Sequence, residues 1–338
     1  MTRWLVILAA VCSAAAQAPK IGDINYYGFR KLAPEKILST LELKSGDPIG
    51  SSRGDLEDRL ELMPGVAAAR VEAVCCDGPK AILFIGIEER GAPHFGTRPA
   101  PAGTASLPED VMAAYREYLG AVARAAQLGH AAEDLTAGES HVADIPARLF
   151  EDRLAGLAVE RLEVLRDVLR TGAEADERAV AAAVIGYLPD KGQAIQNLQY
   201  AMQDVEPAVR ANAVRAMMAI AVLAQKRPEL ELRIEPTWMV EMLNSIVLSD
   251  RQLAARALVT LTEQPNPAAL DLIRARALPA LADMARWNTL AYALPAFLLL
   301  GRTVGVPERD LLDLWQQGKR ATVIDKATAA PSKARRGK

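Results

Sequence analysis

"DVEPAVRANAVRAMMAI", Asp204 to Ile220, places two arginines, Arg210 and Arg215, among alanines, valines and methionines that favour burial. Whether they serve chemistry or construction is decided by recurrence. Arg210 is followed three positions on by Ala213 and seven on by Met217. Arg178 is followed in the same way by Ala181 and Ile185, and Arg251 by Ala254 and Leu258. Each arginine has an acid shortly before it: Asp176, then Asp204 with Glu206, then Asp250. A worn fourth copy is expected near Arg286, with Thr289 in the alanine place. Each copy follows an amphipathic segment: Ala158–Arg170, Gln193–Gln203, Thr237–Leu248 and Pro267–Asp283.

Internal periods of about 30–45 residues are the signature of stacked helix pairs. A small residue at the third place lets two helices approach closely, and the apolar residue at the seventh fills the gap above. One pair cannot bury its own stripe, so its neighbours must. The arginine then stands at a helix start near an acid of the preceding turn, and a shared Arg–Asp pairing ties copy to copy. The joint residues expected on this reading are Asp176, Arg178, Asp204, Arg210, Asp250 and Arg251. Arg215 reads instead as a solvated surface charge. The pattern resembles HEAT repeats, most closely where Asp204, Val209 and Arg210 stand in "DVEPAVR". The other copies lack an acid six positions before the arginine.

The composition suits such an array. Of the 338 residues, 51% are apolar and only 5% aromatic, a core of Ala, Leu and Val. The net charge of −2 gives no global field for nucleic acid or membrane. Charge is uneven, with seven basic residues against Asp325 between Lys319 and Lys338.

The first residues, "MTRWLVILAAVCSAAAQAPK", set Arg3 before an apolar run and small residues, the layout of a secretory signal over 1–18. Retention as an anchor and lipid attachment at Cys12 are the alternatives; Val11 is a poor neighbour for the latter. The expected location is periplasmic or secreted. No other segment reads as long and apolar enough to span a bilayer. Loss of Cys12 leaves Cys75 and Cys76, which as neighbours are poorly placed to bridge each other. One thiol inward and one outward at a strand end is the expected arrangement.

Residues 19–90 read as β-α-α-β-β. "IGDINYYGF" opens, and "APEKILSTLEL" and "SRGDLEDRLELM" supply helices. "VAAARVEAVCC" alternates as a strand, "CDGP" turns, and "KAILFIGIEER" is the most apolar strand. The order and spacing of "I..I.Y.G", "L.SGDPI", "RLELMPGVAAARVE" and "ILFIGIEE" resemble the POTRA (polypeptide-transport-associated) domain. The resemblance covers about seventy residues and implies a three-stranded sheet with two helices on one face. It also implies an exported protein that guides or assembles others, with a partner strand accepted along an exposed sheet edge. By the family's pattern that edge is Val66, Ala68, Arg70, Glu72 and Val74. The alternative is that Arg70 and Glu72 protect the edge from pairing. Neither further such domains nor a barrel segment follows, which sets the chain apart from family members in outer-membrane assembly.

The expected organisation is therefore an α+β small domain followed by an all-α HEAT-like solenoid over 109–318. A flexible Pro-, Gly- and Ala-rich linker (91–108) joins them, and a basic disordered tail (319–338) follows a cap at Leu311, Leu312 and Trp315. For chemistry there is little. His130 and His141 flank Glu133, Asp134 and Glu139, but no HExxH, P-loop or G-x-S-x-G is present. No cofactor or metal is expected. The expected function is an exported, non-catalytic scaffold in envelope protein transport or assembly, whose small domain pairs with an extended partner segment and whose solenoid binds a folded partner, with no nucleic acid bound. Membrane contact is expected only through the signal or the basic tail. The alternatives are an enzyme or regulatory subunit with a site near His130–His141, and a holding chaperone for exported chains.

Overall fold

The computed structural model describes residues 19–49, 52–77 and 80–329. The expected signal with Cys12 and the last basic residues lie outside them, as do the side chains of Cys75 and Cys76.

The N-terminal unit runs β1 (Lys20–Tyr27), α1 (Pro34–Leu41), α2 (Arg53–Glu61), β2 (Val66–Asp77) and β3 (Lys80–Glu89). Pro34 sits in the first turn of α1, where its missing N–H costs nothing. Ser52 caps α2 by accepting from the Asp55 amide. The strand order is β1-β3-β2, with β1 parallel and β2 antiparallel to β3. Ile37, Leu41, Leu56 and Leu60 of the helices cover Ala69, Val71, Ile85 and Ile87 on one sheet face. Tyr27, Ile82 and Phe84 on the opposite face belong to the core of the helical region. Burial on both faces explains why β3 is continuously apolar.

From Glu109 onward the described residues are mostly helical. They comprise α3 (Glu109–Gln127), a short hairpin of β4 (Glu133–Asp134) and β5 (His141–Val142), α4 (Ile145–Glu160), α5 (Leu162–Thr171), α6 (Ala175–Ile185), α7 (Lys191–Ala201) and α8 (Pro207–Lys226). Then follow α9 (Thr237–Met242), α10 (Leu248–Leu261), α11 (Pro267–Arg276), α12 (Leu278–Ala285), α13 (Leu290–Thr303), α14 (Glu308–Gln316) and α15 (Arg320–Ala329). Helices α6, α8, α10 and α13 lie side by side, each backed by its predecessor α5, α7, α9 or α12. Ala181, Ala213 and Ala254 are fully buried at the helix contacts, as are Ile185, Met217 and Leu258 above them. By length and composition α8 could also cross a bilayer, contrary to the sequence reading; here it packs between α6 and α10.

Three expectations are corrected. The fourth copy is α13, not the stretch at Arg286, which caps the C-terminus of α12. Ala296 and Leu300 hold the third and seventh places, both fully buried, so Ala293 stands where the arginine stood. The linker is no free hinge. Its Gly103 bridges to Gly172, the Arg98 amide donates to the Gln203 carbonyl, and Leu107 is buried. Arg98 also stacks on Tyr200 at 3.3 Å, so residues 98–107 form a strap laid across the turns before α6 and α8. Finally, the tail as far as Ala329 is the helix α15, with Val323, Ile324 and Ala327 buried. Its apolar residues at helical spacing outweigh the basic ones in deciding the local structure.

Candidate functional site: a ladder of arginines and an arginine–tyrosine groove

The joint arginines do not pair with acids of their own turn. Arg178 and Arg210 bond the backbone of that turn and reach one copy ahead. Arg178 donates from Nη1 to the carbonyls of Gly172 and Ala173, and from Nε and Nη2 to Asp204 at 2.8 and 3.0 Å. Arg210 donates to the carbonyls of Asp204 and Val205, and from Nε and Nη2 to Asp250 at 3.0 and 2.6 Å. Ser245 adds its hydroxyl to Asp250 at 2.6 Å. All four ion-pair residues are buried, in a forked geometry that satisfies both partners. The Asp204 hydrogen bonds hold the Arg178 guanidinium above its ordinary pKa. Asp176 is exposed and takes no part.

Arg251 breaks the series. It keeps the carbonyl six positions back, that of Ser245, but bonds it through Nε where the others use Nη1, and its own Nη1 has no partner. In the next copy Trp287 stands where Asp204 stood, six positions before the arginine place. The N-terminal unit fills the gap. The Arg251 guanidinium lies 4.6 Å from the centre of the Tyr27 ring, and burial lowers its pKa to about 10. Trp287 donates from Nε1 to the Tyr26 carbonyl at 3.0 Å, and Tyr27 donates to the Ile246 carbonyl at 2.9 Å. Asp283 accepts from the Gly28 amide at 3.0 Å and from Arg30 at 2.8 Å. Gly28 has φ +92°, and a Cβ there would come within 2.5 Å of the Ile87 carbonyl oxygen.

The expected sheet edge is only partly open. β2 is an edge strand, with β3 on one side. On the other, the Ala69 amide donates to Glu61 at 3.0 Å and the Val71 amide to Glu57 at 2.9 Å. Arg70 donates to the Ala69 carbonyl and lies 3.7 Å from Glu57. Glu72 does not guard the edge, because its carboxylate accepts from the Leu248 amide of the helical region. Val66 is buried in the small unit's core and Val74 packs against the helical core. A strand added at Ala68–Val74 would have to displace both glutamates.

A groove that sequence reasoning missed lies on the helical region, with a cavity of about 180 Å³. Tyr115, Tyr118 and Leu119 of α3 form one wall, and Met218 of α8 and Leu253 of α10 face them. The Tyr115 and Tyr118 rings are 6.1 Å apart, and Tyr118 meets Tyr187 edge-on at 6.4 Å. Burial raises the pKa of all three tyrosines. Arg215 and Arg256 line the same groove, both exposed and neither in an ion pair among the described residues. Each stands five positions after a joint arginine, Arg210 or Arg251, so they hold one repeat position on neighbouring helices. The equivalent place in α6 is Ala183, also on the groove wall. The signal was legible as a second recurrence inside the first.

The histidines are held by separate acids. His141 lies between Glu151, 2.9 Å from Nδ1 and fully buried, and Glu139, 3.7 Å from Nε2. Glu151 also accepts from the Val142 amide, and Glu139 from Lys191, so this network ties the hairpin to α4 and α7. Burial lowers the Lys191 pKa, opposed by Glu139. His130 is exposed, 3.9 Å from Asp144. Ser140 Oγ has no hydrogen-bond partner, so it forms no Ser–His pair. No group of three or more His, Cys, Asp or Glu side chains is placed to hold a metal ion among the described residues. Comparison with protein-family models and with curated proteins yields no match to the chain.

Proposed function

We propose that the protein is a non-catalytic interaction scaffold. In this reading the helical region is a HEAT-like solenoid, and the POTRA-like unit is its built-in end piece, not a swinging arm. The groove between α3, α8 and α10 is the partner site. One observation carries the proposal: exposed arginines with no ion-pair partner among the described residues converge there with half-buried aromatic and aliphatic side chains. Tyrosine and arginine anchors of this kind dominate protein–protein contacts. Export through the N-terminal apolar stretch belongs to the same proposal and would place the partner in the cell envelope or outside it.

A photo-crosslinking amino acid at Leu119, on the groove rim, tests this in the producing cell. A discrete protein adduct is expected there and none from Leu62, an equally apolar exposed position on the small unit. No adduct at Leu119, or equal labelling from both positions, would overturn the reading.

A further inference from the structure

We infer that the groove receives a peptide segment in which a carboxylate stands beside one large apolar side chain. The inference rests on the scaffold reading and specifies its partner. Neighbouring helices pack with axes about 8–10 Å apart, so Arg215 on α8 and Arg256 on α10 project side by side from one repeat position. Like charges so placed repel, whereas the buried ladder arginines Arg178 and Arg210 are answered by Asp204 and Asp250. Arg215 and Arg256 are answered by nothing among the described residues. Glu139 on the opposite wall is taken by Lys191. An arriving carboxylate supplies the missing charge, in the forked geometry that guanidinium favours.

The rest of the groove fixes the neighbour of that carboxylate. Tyr118, Leu119, Met218 and Leu253 form an apolar bed. Its 180 Å³ is below the roughly 300–1,000 Å³ of small-molecule sites, and suits one anchoring side chain. Glu133 on the hairpin gives the far rim the opposite charge. A ligand negative along its whole length would meet that glutamate. A peptide with its acid at the α8–α10 end and its apolar residue over the tyrosines would not.

The test uses the full chain and fluorescein-labelled peptides, with one Leu or Phe flanked by Asp in a Gly/Ser background. Fluorescence anisotropy compares them with peptides carrying Asn in place of Asp. The acidic peptide is expected to bind about tenfold more tightly and to weaken as salt rises. Arg215→Gln and Arg256→Gln should each erode that preference and the double variant abolish it, with circular dichroism unchanged because both side chains are exposed. Equal binding of the two peptide sets, indifference to the double variant, or no binding of either set overturns the inference. Arginine-dependent binding of phosphatidylglycerol vesicles in preference to the peptides also overturns it and reassigns the groove to lipid. An adduct at Leu119 with no acidic-peptide preference would leave the scaffold reading standing while this one falls.

Discussion

Arg251 lies against the ring of Tyr27, its guanidinium carbon 4.6 Å from the ring centre, where a third aspartate of the ladder would otherwise be required. The contact joins a recurring arginine of the helical region to a sheet more than two hundred residues earlier in the chain. Trp287 stands at the place of Asp204 and Tyr292 at the place of Asp250, so the last copy offers Arg251 no acid at either, and Trp287 bonds instead to the Tyr26 carbonyl of the N-terminal unit.

The three buried arginines should therefore differ in their mutational cost. Arg178→Met leaves Asp204 buried without its charge partner, and Arg210→Met does the same to Asp250. Each is expected to cost about 3–5 kcal/mol. Arg251→Met strands no acid, loses one bond to a carbonyl and removes an orphan N–H, so its effect should stay within about 1 kcal/mol. Urea denaturation of the three variants measures this; equal losses would mean that the aspartates do not carry the difference.

The Tyr27 hydroxyl makes the docked arrangement sensitive to alkali. Burial raises its pKa above the ordinary value of 10.0, and Tyr26 beside it is raised to about 12. A raised folded pKa means the native state holds its proton longer than the unfolded chain does. That stability is fully present below pH 10 and is lost as pH climbs beyond it. Arg251 acts in the opposite sense, because its charge becomes easier to lose near pH 10. Urea midpoints of the native protein should fall between pH 9.5 and pH 11.5, and Tyr27→Phe should flatten that fall. An unchanged slope in the variant would show that Tyr27 is not the titrating group.

The periodic features were legible and the non-periodic ones were not. Ala181, Ala213 and Ala254 announced the close helix contacts because packing demands a small residue at each. The acids misled at Asp176, since proximity in sequence was read as proximity in space, whereas a helix pair brings Asp204 to Arg178 from 26 residues away. A pattern anchored on arginine points to Arg286 for the fourth copy; the alanine and leucine at 296 and 300 carry the packing and persist without an arginine. Arg215 by itself reads as a solvated surface charge, and only the offset it shares with Arg256 from the ladder arginines sets the two apart.

The strap reads in sequence as a free linker because proline and glycine mark irregular backbone equally well when it is free and when it is packed. Gly103 decides the matter. A Cβ there would lie 2.5 Å from the Thr171 carbonyl oxygen, which accepts the Gly103 amide at 2.8 Å. Gly103→Ala is expected to lift the strap from the turn before α6 and destabilise the chain by about 1–3 kcal/mol. Limited proteolysis should then cut between residues 91 and 107 faster than in the native protein, where this segment should resist cleavage; a strap cut equally fast in both would refute its docking.

Glu57 and Glu61 hold the last feature that can be tested directly, the protected edge of β2. Their carboxylates take the Val71 and Ala69 amides, which otherwise face outward as templates for another strand. Replacing both with alanine frees those donors on a strand that is already extended. Each lost bond to a charged acceptor costs about 1.5–3 kcal/mol where the amide stays dry, and less where water reaches it. The more telling result is association: the double variant should form dimers or larger species in a concentration-dependent way, seen by light scattering after size exclusion. Reintroducing the charge one residue away, with Arg70→Glu added to the double variant, should suppress that association by repulsion between facing edges without restoring the lost bonds. A double variant that loses stability yet stays monomeric at every concentration would show that the helical region, through Glu72 and Leu248, already closes this edge to any incoming strand.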